Sequence, residues 1–278
     1  MTAIIFQSKR KAGKILERAR QKMNKCKAIP VLETVLVGSD LISESYFRSL
    51  KRIAKDLRVD LRVKRFDSRV RLEKVTDFLK AETKTEEIDA LLPLVSSQSG
   101  LFNQREEIVK AIGWTKDSDY LRETVFGDKK KIPSVCRAVL LAIEEAGKEL
   151  SFVPRWAKIL VVGDTGFWGS RIKQTLIARG FENISGANRK TADLISACQT
   201  AEVLISCVGR QNLITREMVK KGSAVIDIGF SLIGGQLVGD VNFERVKKRA
   251  GFITPVLGGI GPLATALVFD NLIGRFFE

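Results

Sequence analysis

The chain of 278 residues contains no histidine. That absence removes every Ser-His and Cys-His catalytic arrangement and leaves general acid and base work to Lys, Tyr, Asp, Glu or Cys. Cysteine is sparse and scattered at Cys26, Cys136, Cys198 and Cys207, with no CxxC pair. Without paired thiols or imidazole there is no metal-ligand spacing, so no metal is expected and the four read as buried thiols. No uninterrupted apolar run reaches the ~18 residues that a bilayer span needs. The opening MTAIIFQSKRKAGK has neither the long apolar core nor the small-residue cleavage site of a signal peptide, and the expectation is a cytoplasmic protein. The basic clusters KRKAGK, RSLKRIAK, DKKK and RVKKR lie far apart and carry no interleaved aromatics, which argues against an RNA-binding strand.

What is present is a strong positive balance, 47 Lys and Arg against 32 Asp and Glu, and 45% hydrophobic residues. The charge reads as a solvated basic surface or as attraction of polyanionic small molecules. The length and apolar content suit two domains.

The stretch that organises the chain is AKILVVGDTGFWGS, Ala157 to Ser170. Four consecutive aliphatic residues, Ile159 to Val162, suit a parallel strand covered on both faces. The strand stops on Gly163, with Asp164, Thr165 and Gly166 next and Gly169 beyond, and RIKQTLIAR (171–179) follows with helical spacing. Glycines at such a turn allow positive φ and bring backbone N–H groups close to a pyrophosphate at a helix N-terminus. The spacing is GxxGxxG rather than GxGxxG, so an ordinary strand–helix turn remains open on this stretch alone.

Around it the chain alternates strand and helix. Residues 2–24 show an amphipathic helical pattern, 29–37 form a strand ending at Gly38, and 44–57 form a helix that Ser43 can cap. Strands over 59–66 and 88–94 follow, with helices over 71–80, 104–112 and 133–146. A second set of strands, 203–208 and 223–228, ends on Gly209 and Gly229. Ligands in open α/β sheets sit outside the carboxyl ends of the strands, so Gly163, Gly209 and Gly229 mark a candidate cofactor rim. Gly258, Gly259 and Gly261 with Pro262 make a constrained loop opening the last helix, or a plain turn between domains.

At these residues the chain resembles the methylenetetrahydrofolate dehydrogenase/cyclohydrolase family. TPVLGGIGPLATAL (254–267), VIDIGF (225–230) and LVGD (237–240) carry the likeness most specifically. VLVGSDLISESYFRSLK, LLPL, KDSDY and VVGDTGFWGS extend it along nearly the whole chain. The resemblance implies an α/β fold of two lobes. One is a parallel α/β folate-binding, catalytic lobe made of residues 1–150 and completed by 256–278; the other is a Rossmann NAD(P)-binding lobe, 151–255. It implies a tetrahydrofolate derivative as substrate, NADP or NAD as cofactor and a homodimer.

Carried over by position, the family's catalytic tyrosine, which stacks on and orients the folate, is Tyr46, and its folate-contacting aspartate, also expected to be catalytic, is Asp119. Its general acid/base lysine falls on Leu50 and its active-site glutamine on Leu91, a substrate-contact position. Lys51 is one residue on, but a helix turns about 100° per residue, so a step of five from Tyr46 lands well off the face that a step of four reaches. Lys51 is therefore a doubtful substitute. Substrate contacts are also implied for Gly258, Gly259, Gly261 and Pro262. Cofactor contacts are implied for Gly163, Asp164, Thr165, Gly166, Gly209 and Phe230.

The family's arginine after the first glycine is Asp164 here, which should repel an adenosine 2′-phosphate. Arg189 and Lys190 lie where the second strand of that lobe ends, which faces the ribose, so either NAD or NADP remains open; plain surface charge is the other reading. Tyr120, Arg171 and Leu257 stand where the family has glycine, proline and proline. Hydride transfer mainly needs two rings held in contact, whereas hydrolysis of a methenyl bridge needs water activated and a proton moved. The expectation is a dehydrogenase with weak or lost cyclohydrolase activity. The other class of reading is a catalytically degenerate scaffold that binds a ligand or partner.

Overall fold

Residues 2–122 and 131–277 are described by the computed structural model of the chain. It divides into two compact units, Met1–Lys11 with Thr124–Ala264 and Ala12–Glu123 with Thr265–Glu278. The division departs from the expected lobes at both ends of the chain. Residues 1–11 and 131–150 belong with the 151–255 region, and the final helix changes unit after Ala264.

The reason begins at the N-terminus. In place of one helix over 2–24, Ile4–Ile5 form strand β1 and helix α1 runs Ser8–Met23. Ile4 and Ile5 pair in parallel with Phe252 and Ile253 of β11 (Phe252–Ile253), and Ala3 donates its N–H to Lys247 O. A helical pattern in sequence gives way here to a ladder whose partners lie at the far end of the chain.

The first unit is a parallel sheet, six-stranded among the described residues, in the order β1-β11-β8-β7-β5-β6. Its central strands are β5 (Ile159–Val162), β7 (Val203–Ser206) and β8 (Ala224–Asp227), with β6 (Ile184–Ala187) at the edge. The four residues of each central strand are buried, as strands covered on both faces require. Helix α5 (Ser134–Glu149) packs on α6 (Phe167–Ala178) and β8, which places it in this unit. Helix α7 (Leu194–Thr200) follows β6. A hairpin that the sequence reading lacked, β9 (Phe230–Ile233) with β10 (Gln236–Gly239), turns on Gly234 and Gly235, both with positive φ. Short helix α8 (Phe243–Val246) leads to β11.

The second unit holds a parallel three-stranded sheet in the order β3-β2-β4, from β2 (Val31–Val37), β3 (Asp60–Phe66) and β4 (Ala90–Val95). One apolar cluster joins Leu32, Ala90 and Leu92 to α1, α2 (Leu41–Leu57) and α9 (Ile260–Gly274). The other joins Val35, Val37 and Leu91 to α3 (Leu72–Lys84) and α4 (Arg105–Ala111). Alternation along the strands sends neighbouring residues to opposite layers.

Helix α2 is capped by Asp40 rather than Ser43. Asp40 Oδ1 accepts the Ser43 N–H at 2.7 Å, while the Asp40 N–H donates to Ser43 Oγ at 3.0 Å, a reciprocal capping box. Asp40 Oδ2 also accepts from Ser96 Oγ at 2.6 Å and Ser97 Oγ at 2.9 Å, which ties the SSQSG loop to the start of α2. Burial works to raise this carboxyl, but the hydrogen bonds from Ser43, Ser96 and Ser97 outweigh it and hold it below its ordinary value.

Candidate functional site

In the first unit, β5 ends where the sequence places the glycine turn. Gly163 has φ +87°, and a Cβ there would lie 3.0 Å from Cys207 O. Gly166 is the residue before α6, so the expected helix start at 171 moves to Phe167. A Cβ on Gly169 would stand 2.1 Å from Gly163 O. Turn and helix therefore pack at a distance only glycine permits, and the first turn of α6 carries the N–H groups that a helix start leaves without intrahelical acceptors. These features fit a dinucleotide pyrophosphate at Gly163, Asp164, Thr165 and Gly166.

Asp164 behaves differently from the expectation. Its Oδ2 pairs with Lys173 Nζ at 2.9 Å and its Oδ1 accepts from Asn188 Nδ2 at 3.0 Å. Gly186 makes room for it, since a Cβ there would be 1.9 Å from Asp164 Oδ2. Burial works to raise this carboxyl, while the Asn188 and Lys173 hydrogen bonds and the Lys173 charge hold it below its ordinary value. The expected repulsion of a 2′-phosphate by a lone Asp164 thus loses its basis, because a cation neutralises the carboxylate locally. Arg189 and Lys190 are exposed beyond the end of β6.

The rim continues at Gly209, φ +77°, where a Cβ would lie 3.4 Å from the carbonyl oxygen of the exposed Phe230. Behind it are two buried carboxylates that sequence reasoning missed. Asp240 accepts from Ser206 Oγ, from the Val208 N–H and from the Arg210 N–H, each at 2.7 Å. Asp227 accepts from the Asp240 N–H at 3.3 Å and the Val241 N–H at 2.9 Å. Burial, with the Asp240 charge added, pushes the Asp227 carboxyl up to about 8. Glycines flank both acids in VIDIG and VGD, and that spacing was the available signal.

Of the cysteines, Cys136 and Cys198 are buried as expected, whereas Cys26 and Cys207 are partly exposed. Burial pushes the Cys198 thiol up to about 12 and also raises the Cys207 thiol well above its ordinary value, with the Asp240 charge adding to the latter. Neither offers a thiolate nucleophile at neutral pH.

The loop before α9 also belongs to the first unit. Gly258 has φ +92°, a Cβ on Gly259 would lie 2.0 Å from Pro255 O, and Gly261 and Pro262 stand in the first turn of α9. Ser8 Oγ donates to Gly258 O at 2.5 Å, so the N-terminal segment pins this loop. Leu257, in the family's proline position, is 73% exposed.

In the second unit Tyr46 on α2, Asp119 and Thr265 on α9 come together. Burial drives the Tyr46 phenol well above its ordinary value, the Asp119 charge adds to this, and a hydrogen bond from Thr265 opposes it. Tyr46 is thus a neutral phenol, able to orient a ligand but not to serve as a base. Thr265 was absent from the expected set, although it lies in the TPVLGGIGPLATAL motif. Tyr120, in the family's glycine position, keeps a left-handed φ of +52°, a conformation costing a non-glycine residue roughly 1–2 kcal/mol.

The two leucines are separated by the sheet. Leu50 is fully buried in the cluster with Tyr46, Phe269 and Leu272. Leu91, also fully buried, lies in the opposite cluster with Val35 and Leu79. Positions 50 and 91 thus lie in opposite apolar layers, and Leu91 has no accessible surface in this structure. Lys51 is exposed on the solvent side of α2, as the helical geometry requires.

Residues 133–277 match the model of the tetrahydrofolate dehydrogenase/cyclohydrolase NAD(P)-binding domain. The bifunctional protein FolD of Moorella thermoacetica is 32% identical, covering 98% of each chain. That of Dictyoglomus thermophilum is 31% identical, covering 97% of this chain and 96% of its own. Among solved structures, the Trypanosoma brucei methylenetetrahydrofolate dehydrogenase-cyclohydrolase in complex with NADP and an inhibitor has a TM-score of 0.86. It is 21% identical and covers 100% of this chain and 99% of its own. The NAD-dependent 5,10-methylenetetrahydrofolate dehydrogenase of Saccharomyces cerevisiae has a TM-score of 0.76 at 11% identity, covering 100% and 99%. Both likenesses are of fold.

Proposed function

The chain belongs to the tetrahydrofolate dehydrogenase/cyclohydrolase family, and from that premise we propose that it is an NAD(P)-dependent methylenetetrahydrofolate dehydrogenase whose cyclohydrolase half is weak or lost. The observation that carries this reading is Leu50, with 0% exposure among apolar side chains beside Tyr46, in the place of the family's lysine. An amine there would supply a proton donor and acceptor next to the substrate; a leucine supplies neither.

The retained groups suit the other half-reaction. When bound, the dinucleotide's nicotinamide supplies the hydride acceptor for the methylene carbon. The chain's own task is then positioning. Gly163, Thr165 and Gly166 present backbone to the pyrophosphate, and the exposed Phe230 beside Gly209 offers an apolar surface at the rim. Tyr46, held by Thr265 and kept neutral, presents a ring for stacking on the pterin. Asp119 is an acceptor for the pterin's N–H groups, the contact that the family resemblance implies. No step requires Tyr46 to lose its proton.

The test is reduction of NAD and of NADP, assayed separately, by the purified protein with 5,10-methylenetetrahydrofolate. Turnover with either supports the reading and names the cofactor. No turnover with both, and no folate binding by calorimetry, would overturn it in favour of a scaffold that has outlived its chemistry.

A further inference from the structure

The buried pair Asp227 and Asp240 is not used by the chemistry above, yet its hydrogen bonds converge on one turn of the rim. Strand β7 ends at Ser206, and the chain then runs through Cys207, Val208, Gly209 and Arg210. One carboxylate, Asp240, receives the Ser206 hydroxyl and the Val208 N–H on Oδ2 and the Arg210 N–H on Oδ1. Its exposure is 0%. Both sides of the turn are thereby drawn to a single buried group, while Gly209 between them takes φ +77°. The same turn abuts the phosphate-type turn, since a Cβ on Gly163 would meet Cys207 O at 3.0 Å and Val208 Cγ2 at 3.2 Å.

Asp240 is in turn held by its neighbour. Asp227 accepts the backbone N–H groups of Asp240 and Val241, and its own N–H donates to Thr254 Oγ1 at 2.8 Å. Each acid occupies space that a glycine leaves open. A Cβ on Gly229 would be 1.9 Å from Asp240 Oδ2, and one on Gly239 would be 2.2 Å from Asp227 Oδ2. The arrangement is thus specified at four positions from two separate motifs.

We propose that Asp240 is a positioning residue for dinucleotide binding: seated by Asp227, its carboxylate fixes the 206–210 turn against the Gly163 turn. The inference rests on the reading of that rim as the NAD(P) site. A carboxylate can accept from three donors at once with both oxygens, whereas an asparagine has one accepting oxygen and turns an NH₂ towards N–H groups. Asp240→Asn should therefore loosen the turn without touching the ligand directly.

In Asp240→Asn the KM for the dinucleotide should rise about tenfold, the scale of a lost hydrogen bond to a charged group. kcat at saturation and the KM for the folate substrate should stay within about twofold. Exchange of the Val208 and Arg210 amides, read by hydrogen–deuterium NMR, should accelerate by about tenfold or more. Unchanged amide exchange, or faster exchange with an unchanged dinucleotide KM, would overturn the proposal. If Asp240→Asn fails to fold, Gly239→Ala serves instead, because its methyl would stand 2.2 Å from Asp227 Oδ2 and displace the carboxyl that seats Asp240; the same KM signature is expected, and its absence counts against the proposal. If the unaltered protein binds neither dinucleotide, the rim itself has been misread. Amide exchange separates that failure from this one, since it still reports whether Asp240 holds the turn.

Discussion

In the unit containing the glycine turns, acids at the turns are matched by donors: the buried Asp240 by a hydroxyl and two amides, the buried Asp227 by two amides, the partly exposed Asp164 by Lys173 and Asn188. In the unit containing Tyr46, the phenol comes together with Asp119 and Thr265, but leucines fill the two positions onto which the family resemblance carries a lysine and a glutamine. The contrast follows from what each unit must do. A dinucleotide rim works through backbone shape, and an orphaned buried acid at one of its turns would cost about 1–3 kcal/mol. A proton-transfer site works through one side chain. A leucine in such a place leaves no orphan and adds roughly 2 kcal/mol of apolar burial, so on the proposed reading the fold keeps its stability where the hydrolytic chemistry fails.

The sharpest way to break this contrast is to damage shape in the first unit. Gly169→Ala sets a methyl 2.1 Å from Gly163 O, and overpacking against backbone should cost ~3 kcal/mol. Urea denaturation should show that loss, and dinucleotide binding should fall at least as far. A near-neutral Gly169→Ala would mean that the turn is not shape-limited. In the second unit, Tyr46→Phe removes the Thr265 hydrogen bond but keeps the ring, so dehydrogenase kcat/KM should fall only about fivefold, in line with the ~1 kcal/mol of such a bond. Complete loss of dehydrogenase activity would give the phenol a chemical role beyond positioning.

A smaller effect tests Asp227. Its ordinary value is 3.8 and burial pushes it to about 8 in the folded chain. Between those values the unfolded chain has released this proton and the folded chain still holds it. The contribution to stability is therefore full below about 4 and is lost as pH rises towards about 8. Asp227→Asn does not titrate, so its Tm should decline less between pH 5 and 8 than that of the unaltered protein. Parallel Tm–pH curves would show that Asp227 is ionised in the fold.

Much of this was legible in the sequence. Buried parallel strands announce themselves as aliphatic runs ending on glycine, and β5, β7 and β8 were read that way. The 254–267 motif identified the family, and Tyr46 and Asp119 came with it. What was hidden depends on partners remote in the chain. A two-residue strand such as Ile4–Ile5 has no period of its own and exists because Phe252 and Ile253 pair with it. Lys173 and Asn188 gave no sign that they would neutralise Asp164, which alone suggested repulsion. The opposite facing of Leu50 and Leu91 could not be read either, because sequence alignment to relatives carries no information about which layer a side chain enters.

The most direct measurement is hydrolysis of 5,10-methenyltetrahydrofolate, followed by its absorbance decay, for the purified protein and for Leu50→Lys under the conditions in which dehydrogenase turnover is measured. The unaltered protein should hydrolyse it no faster than buffer, and Leu50→Lys should gain at least about tenfold, a modest share of what a positioned acid or base supplies. Hydrolysis by the unaltered protein well above buffer, abolished by Tyr46→Phe, would contradict the assignment of a silent cyclohydrolase to Leu50.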